Sequence, residues 1–105
     1  MALTKDFKET VQARARRDPA FRKALLREGI ESLLSGDVET GKVVLRDFVN
    51  AVMSFGELAE ATHVPPKSLM RMLGPKGNPS ARKFFVMLGA LQKREGVSLR
   101  VVVRR

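Results

Sequence analysis

The chain has 105 residues, which is enough for one domain with a hydrophobic core but too few for two well-stabilised ones. Apolar residues make up 44% and charged residues 30%, a globular balance, but the formal net charge is +9. The sequence contains no cysteine, which excludes disulfide frameworks, cysteine-based zinc sites and thiol nucleophiles. An excess of positive charge on this scale favours a polyanionic partner.

The excess positive charge is confined to the second half of the chain. Residues 1–60 contain 10 Lys and Arg and 10 Asp and Glu, whereas residues 61–105 contain 10 Lys and Arg against Glu95 alone. A neutral half joined to a basic half predicts a surface for nucleic acid or an acidic membrane. No apolar run approaches the roughly 20 residues that span a bilayer, and no segment resembles a signal peptide. We therefore expect a soluble, cytoplasmic protein that does not enter membranes.

Helical periodicity dominates the first half of the chain. Three helices are predicted, over residues 4–17, 19–34 and 38–53. Asp18 and Asp37 precede the second and third helices, where a short polar side chain can accept a hydrogen bond from a free amide. These residues are the predicted N-caps.

Three shorter helices follow, over residues 55–61, 65–73 and 81–95, and Ser54 is the predicted cap of the first. The last segment, residues 97–105, instead alternates apolar and polar side chains with the two-residue period of a strand. A strand without a partner in a helical chain either pairs with the same strand of a second copy or lies as a frayed tail on the helices. We favour the pairing, and hence a homodimer.

A helix-turn-helix pattern spans residues 55–73. Two short helices there are joined by a turn of about three residues. Leu58, Val64 and Leu69 can meet beneath this turn because Ala59, which lies between the helices, is small.

The second helix of this pattern carries side chains suited to DNA. Lys and Arg can contact guanine or a phosphate, Ser a base edge or phosphate, and Met a thymine methyl group. Proline in the first helical turn loses no hydrogen bond and leaves the positive helix end open to an anion. Cations in the first turn of residues 81–95, where the helix dipole disfavours them, favour nearby phosphates, with an ordinary solvated pair as the alternative. The residues predicted from these patterns to contact DNA are Pro66, Lys67, Ser68, Met70, Arg71, Arg82 and Lys83.

Residues 55–91 resemble the lambda-repressor-like (Xre-type) helix-turn-helix regulators. The stretch from "SLMRML" to "GNPS" resembles the HigA-like addiction-module antidotes. The resemblance implies a five-helix DNA-binding fold that dimerises, reads a palindromic operator with the second helix of the motif, often represses its own operon and binds a toxin. By position it also implies that Lys76 and Asn78 lie near the DNA backbone. The matching positions are Leu58, Ala59, Val64, Ser68, Leu69, Leu73 and residues 77–80.

Two residues depart from the family pattern. His63 stands at a turn position where glycine is usual, and such a turn often needs a positive backbone angle, which histidine tolerates at some strain. Phe55 stands where the family often has a polar phosphate contact. That contact must therefore come from backbone amides or be absent.

These patterns together predict an all-α protein in which residues 1–105 form a single domain. Its expected architecture is a lambda-repressor-like helix-turn-helix bundle with N-terminal helices over 1–53, a DNA-binding core over 54–96 and a short C-terminal β-strand over 97–105. The expected partners are double-stranded DNA, a second copy of the chain and a toxin protein. We expect no cofactor, no metal site and no membrane association.

Other functions are open on the sequence alone. A protein-interaction module whose main role is to bind a toxin would use residues 4–50, which the DNA motif leaves unused. RNA binding fits the charge, but the motif favours duplex DNA. Base stacking on Phe84 and Phe85 competes with a role for these rings in the core. An enzyme is disfavoured because there is no phosphate-binding glycine loop, no metal-ligand cluster and no base beside a nucleophile.

Overall fold

The computed structural model describes the backbone of residues 5–105 and the side chains of residues 10–105. Thr4, the predicted start of the first helix, lies outside these residues. The all-α class is confirmed, since the described chain contains helices and no strand. None of these helices is long and apolar enough to cross a membrane. In chain order they are α1 (Lys5–Arg17), α2 (Pro19–Leu34), α3 (Val38–Val52), α4 (Phe55–Thr62), α5 (Pro66–Met72) and α6 (Ala81–Glu95).

Local side-chain caps set where four of the helices begin. The side chains of Asp18, Asp37 and Ser54 each accept a hydrogen bond from the amide three residues along, at 3.1, 3.3 and 3.0 Å. Ser80 caps α6 in the same way, with its Oγ 3.3 Å from the amide nitrogen of Lys83. Each cap satisfies one amide that has no acceptor within its helix and contributes about 1 kcal/mol. The predicted caps Asp18, Asp37 and Ser54 are confirmed.

The contact between α2 and α3 depends on two buried glycines, Gly29 and Gly41. A Cβ atom at Gly41 would lie 2.6 Å from Cγ of Leu33 and 2.9 Å from the carbonyl oxygen of Gly29. The absence of both side chains therefore lets the two helices approach closely. Gly41 lies within a continuous α3.

One cluster of apolar side chains connects α2 with the helices that follow it. Burial of a leucine or phenylalanine contributes roughly 1.5–3 kcal/mol. Phe55 belongs to this cluster and is 6% exposed, so its side chain offers nothing to a phosphate. The fully buried members are Leu26, Leu45, Phe48, Val49, Leu58, Leu69, Leu73, Met87 and Leu91.

The turn after α4 is left-handed at His63, where φ is 58° and ψ is 31°. The His63 amide donates to the carbonyl of Ala59 at 2.8 Å. Thr62 Oγ1 donates to the carbonyl of Leu58 at 2.7 Å and accepts from the amide of Val64 at 3.3 Å. The positive backbone angle predicted at His63 is confirmed. It directs the chain so that Val64 enters the core.

Replacing His63 with glycine is expected to keep the fold and to raise the free energy of unfolding by up to about 1 kcal/mol. A left-handed conformation costs a non-glycine residue roughly 1–2 kcal/mol, whereas glycine loses roughly 0.5–1 kcal/mol more backbone entropy on folding. Urea denaturation measures the difference. His63→Ala is the control, because alanine keeps the strained Cβ and should be no more stable than the parent. A glycine variant less stable than the alanine variant would show that the turn is not strained.

The predicted C-terminal strand is not confirmed, because residues 97–105 have no regular secondary structure. Val97 and Leu99 are half-buried against the core, and the Leu99 amide donates to Gln92 Oε1 at 2.9 Å. Residues 101–103 are 78–86% exposed. A strand needs a neighbour that accepts its backbone hydrogen bonds, and the helices beneath this segment already bond their own backbone groups. Of the apolar side chains in this segment, Val97 and Leu99 therefore pack against the core and those of residues 101–103 do not.

Candidate nucleic-acid interface

The α5 helix has one buried and one exposed face. Leu69 and Met72 point into the core, and Leu73 follows them at 1% exposed. Ser68 is half-buried at the boundary between the faces. The other side chains predicted to contact DNA from this helix are exposed, as the helical spacing predicts: Pro66, Lys67, Met70 and Arg71.

Two prolines begin α5. Pro65 is the N-cap with φ −58° and ψ 144°, Pro66 is the first helical residue, and the helix has no side-chain cap. The amides of Ser68 and Leu69 both donate to the Pro65 carbonyl, at 3.0 and 3.1 Å. Proline fixes its own backbone angle near the helical value and has no amide that needs an acceptor. The first turn is therefore held without a polar cap, directly beside exposed Lys67.

The loop after α5 folds back onto the end of that helix. The Gly74 amide donates to the Arg71 carbonyl at 3.1 Å, and the Gly77 amide donates to the Gly74 carbonyl at 3.0 Å. A Cβ atom on Gly77 would overlap the Arg71 carbonyl oxygen, at a separation of 1.9 Å. Only glycine can approach the helix end this closely. The residues after Gly77 are thereby brought next to α5.

A cleft of about 190 Å³ lies between α5 and the start of α6. A water molecule occupies about 30 Å³ of liquid, so the cleft has room for a phosphate group. Its lining contains two cations together with hydroxyl and amide groups that can donate hydrogen bonds to an anion. The lining residues are Ser68, Arg71, Met72, Asn78, Pro79, Ser80 and Lys83.

The first turn of α6 adds to the positive potential beside the cleft. Arg82 and Lys83 are exposed there, and the turn contains no acidic residue. The N-terminal end of a helix carries a partial positive charge, which normally favours acidic side chains. Lys83 lines the cleft, whereas Arg82 does not. The helix end and its two cations together form a site that attracts anions.

The cations of this surface are not neutralised by acids. Among the side chains that the structure describes, the cations in ion pairs all precede residue 43: Arg14, Arg22, Arg27 and Lys42. Glu95, the single acid after residue 60, is 3.0 Å from Arg22 Nε and its side chain is 2% exposed. The one acid of the basic half is thus buried against an arginine from the other half. Its charge is compensated there by Arg22.

The sequence patterns did not identify Lys42, which forms a hydrogen bond to the loop of residues 74–80. Its Nζ donates to the Gly77 carbonyl at 3.2 Å, and its side chain is 4% exposed. One signal was present, because Lys42 precedes Leu45 by three residues and Val49 by seven and so lies on the buried face of α3. That position predicts burial. It does not reveal the partner, which lies 35 residues away in sequence.

The cleft brings together four of the nine predicted contact residues: Ser68, Arg71, Asn78 and Lys83. The other five are exposed outside its lining: Pro66, Lys67, Met70, Lys76 and Arg82. Among the described side chains, no three of the types that bind metals come together. No protein-family model, curated protein or solved structure matches the chain.

Proposed function

We propose that this protein is a sequence-specific regulator that binds double-stranded DNA and represses transcription by occupying its operator. The observation that carries the proposal is the basic cleft between α5 and α6, beside the exposed face of α5. Duplex DNA offers phosphates next to a major groove that admits an α-helix, so one surface can meet both. Arg71 belongs to the cleft and to the exposed face of α5, which joins the two.

The arrangement of α4 and α5 supports a helix-turn-helix assignment. The two helices are separated by residues 63–65, and Leu58, Val64 and Leu69 are buried. In the docking geometry of this motif the second helix lies in the major groove and contacts base edges near its N-terminus. The resemblance of residues 55–91 to lambda-repressor-like regulators agrees with this assignment. In our proposal α5 is the recognition helix.

The proposed mechanism separates affinity from sequence selection. Arg71 and Lys83 hold a phosphate in the cleft, and the release of counterions makes the affinity fall steeply with salt. Lys67 and Met70 lie on the exposed face of α5, where they can reach base edges. Lys76, Asn78 and Arg82 add contacts to the neighbouring backbone.

We further propose that the protein acts as a homodimer on a palindromic operator. Residues 101–103 are exposed valines, and contiguous exposed apolar surface marks protein interfaces. The same segment of a second copy would supply the backbone partner that a strand over 97–105 lacks within one chain. A two-fold dimer then reads two half-sites about one helical turn apart. Control of a bacterial-type operon would take place in the cytoplasm.

Selection of bound duplexes from a random DNA pool tests the function directly. We expect an enriched palindromic sequence whose half-sites are separated by about 10 base pairs, or by a multiple of this spacing. The same selection on the Lys67→Ala/Arg71→Ala variant should retain less DNA and lose the preference at one position of each half-site. A parent protein that enriches no sequence, or retains RNA in preference to duplex DNA, would exclude the proposed function.

A second candidate is a protein-interaction module that holds a toxin, with DNA binding as a secondary activity. The observation that favours it is the exposure of Leu34 and Val38, at 67% and 48%, on either side of the turn between α2 and α3. Neither residue lines the basic cleft. Co-expression with the product of an adjacent gene is the test. A stable complex that is lost in Leu34→Asp and retained in Lys67→Ala would favour this candidate.

A further inference from the structure

We infer that Lys42 is a positioning residue for the proposed DNA interface. Its ammonium group holds the loop of residues 74–80 through the carbonyl of Gly77, and this contact fixes the shape of the basic cleft. The inference rests on the proposed function and adds a residue from the N-terminal half of the chain to it.

The environment of Lys42 is unusual for a lysine. Its side chain is 4% exposed, whereas lysine is almost never buried to this degree without a partner. Nζ donates to the Gly77 carbonyl at 3.2 Å and lies 3.4 Å from Oε1 of Glu39, which is 64% exposed. An apolar side chain could fill the same space without the cost of burying a charge. What the ammonium adds is a directed hydrogen-bond donor aimed at the loop.

The loop transmits the position of Gly77 to the cleft. Gly77 is packed so closely on α5 that a Cβ would lie 1.9 Å from the Arg71 carbonyl oxygen. The next residue in the chain, Asn78, lines the cleft together with Arg71, and Ser80 both lines it and caps α6. A shift of Gly77 would therefore move one wall of the cleft relative to the other. Lys42 therefore fixes the residue that sets the position of one wall relative to the other.

Lys42 itself cannot contact a duplex. Its side chain is buried beneath the loop, and every residue that lines the cleft lies between positions 68 and 83. Any effect of Lys42 on DNA binding must pass through the loop. This separates a positioning role from the loss of a surface charge, and the two can be distinguished by experiment.

The test compares four variants of the full chain with the parent. Lys42→Met removes the donor and keeps the length of the side chain, while Lys42→Arg keeps a donor and the charge. Glu39→Gln removes the exposed acid and leaves the bond to Gly77. Lys23→Met removes one charge from an exposed position on α2 and is the charge-matched control. Amide hydrogen exchange of residues 74–80, thermal unfolding, and fluorescence anisotropy on a selected duplex are measured for each.

We expect Lys42→Met to bind the duplex about three- to tenfold more weakly, in the range found for residues that act on a site through packing. The hydrogen-bonded amides of Gly74 and Gly77 should exchange about tenfold faster, because the loop opens locally more often. Lys42→Arg should recover most of the affinity. Glu39→Gln and Lys23→Met should bind within about twofold of the parent and keep the exchange rates of the loop.

Unchanged loop exchange in Lys42→Met would overturn the inference, as would an equal loss of affinity in Lys23→Met. If Lys42→Met does not fold, Lys42→Gln replaces it, because glutamine is one bond shorter and its amide nitrogen does not reach the Gly77 carbonyl. The amides of Gly74 and Gly77 should then exchange faster than in the parent, and unchanged exchange would overturn the inference. A parent that binds no duplex would instead remove the proposed function, since the exchange measurement does not depend on DNA.

Discussion

A variant in which Lys67 and Arg71 are both alanine is expected to bind operator DNA on the order of a hundredfold more weakly than the parent at the same salt concentration. A lost contact to a base edge costs roughly 1–3 kcal/mol, and a lost phosphate contact lowers the salt dependence by about one ion. Both side chains are exposed and form no ion pair among the described residues, so their removal should leave the fold unchanged. Anisotropy titrations at several salt concentrations measure both quantities.

The single variants assign each side chain a role. Arg71 lines the cleft, and we expect Arg71→Ala to weaken binding to all duplexes alike and to reduce the salt slope by about one. Lys67 lies outside the cleft lining, at the start of α5, so Lys67→Ala should relax the preference at one operator position. The control is Lys93→Ala/Arg94→Ala, which removes the same charge from the last turn of α6. If the control lost as much affinity as Lys67→Ala/Arg71→Ala, net charge rather than α5 would account for binding.

The helices and their ends could be predicted from the sequence because their causes are local. Asp18, Asp37 and Ser54 each cap a helix within three residues, and the helix-turn-helix pattern placed Leu69 beneath the turn, where it is buried. The positive angle at His63 was expected from the resemblance to lambda-repressor-like regulators, in which glycine is usual at this turn position. Each of these features depends on contacts a few residues apart, which a sequence pattern records directly.

The architecture of the cleft could not be predicted in the same way, because it depends on contacts that are distant in sequence. Lys42 reaches Gly77 across 35 residues, and Arg22 reaches Glu95 across 73. The sequence patterns identified Arg71 and Lys83, and the family resemblance implied Asn78, as separate candidates. It did not predict that a loop would bring them to one cavity.

The strand predicted over residues 97–105 was not confirmed for a related reason. The alternation over residues 97–105 is a true strand pattern, but a strand is defined by its neighbour and not by its own side chains. Within one chain the segment finds a helical surface for Val97 and Leu99 and no surface for Val101 and Val103. The proposed dimer offers the missing neighbour. Selection from a random DNA pool does not presuppose a dimer, so an enriched palindrome would support its two-fold symmetry.

Replacing Gly77 with alanine is expected to lower the free energy of unfolding by about 1–3 kcal/mol, the usual cost of forcing extra atoms into a packed site. The new Cβ would lie 1.9 Å from the Arg71 carbonyl oxygen and 3.0 Å from that of Met72. Both are backbone atoms of α5, so no side-chain rotation relieves the overlap and the loop must move away from the helix. That movement also lengthens the bond from Lys42 and separates Asn78 from Arg71 across the cleft. DNA affinity should therefore fall together with stability.

Gly89→Ala is the matched control, because it makes the same chemical change at an exposed helical position where a Cβ meets nothing within 4 Å. Alanine there should stabilise α6 by roughly 0.5–1 kcal/mol and leave DNA binding unchanged. Urea denaturation and anisotropy applied to both variants separate the effect of crowding from the effect of losing glycine. If Gly77→Ala were as stable as the parent, the loop would not be packed on the end of α5. If it were destabilised and still bound DNA normally in its folded state, the cleft would not depend on the position of Gly77, and Lys42 would have no route to the interface.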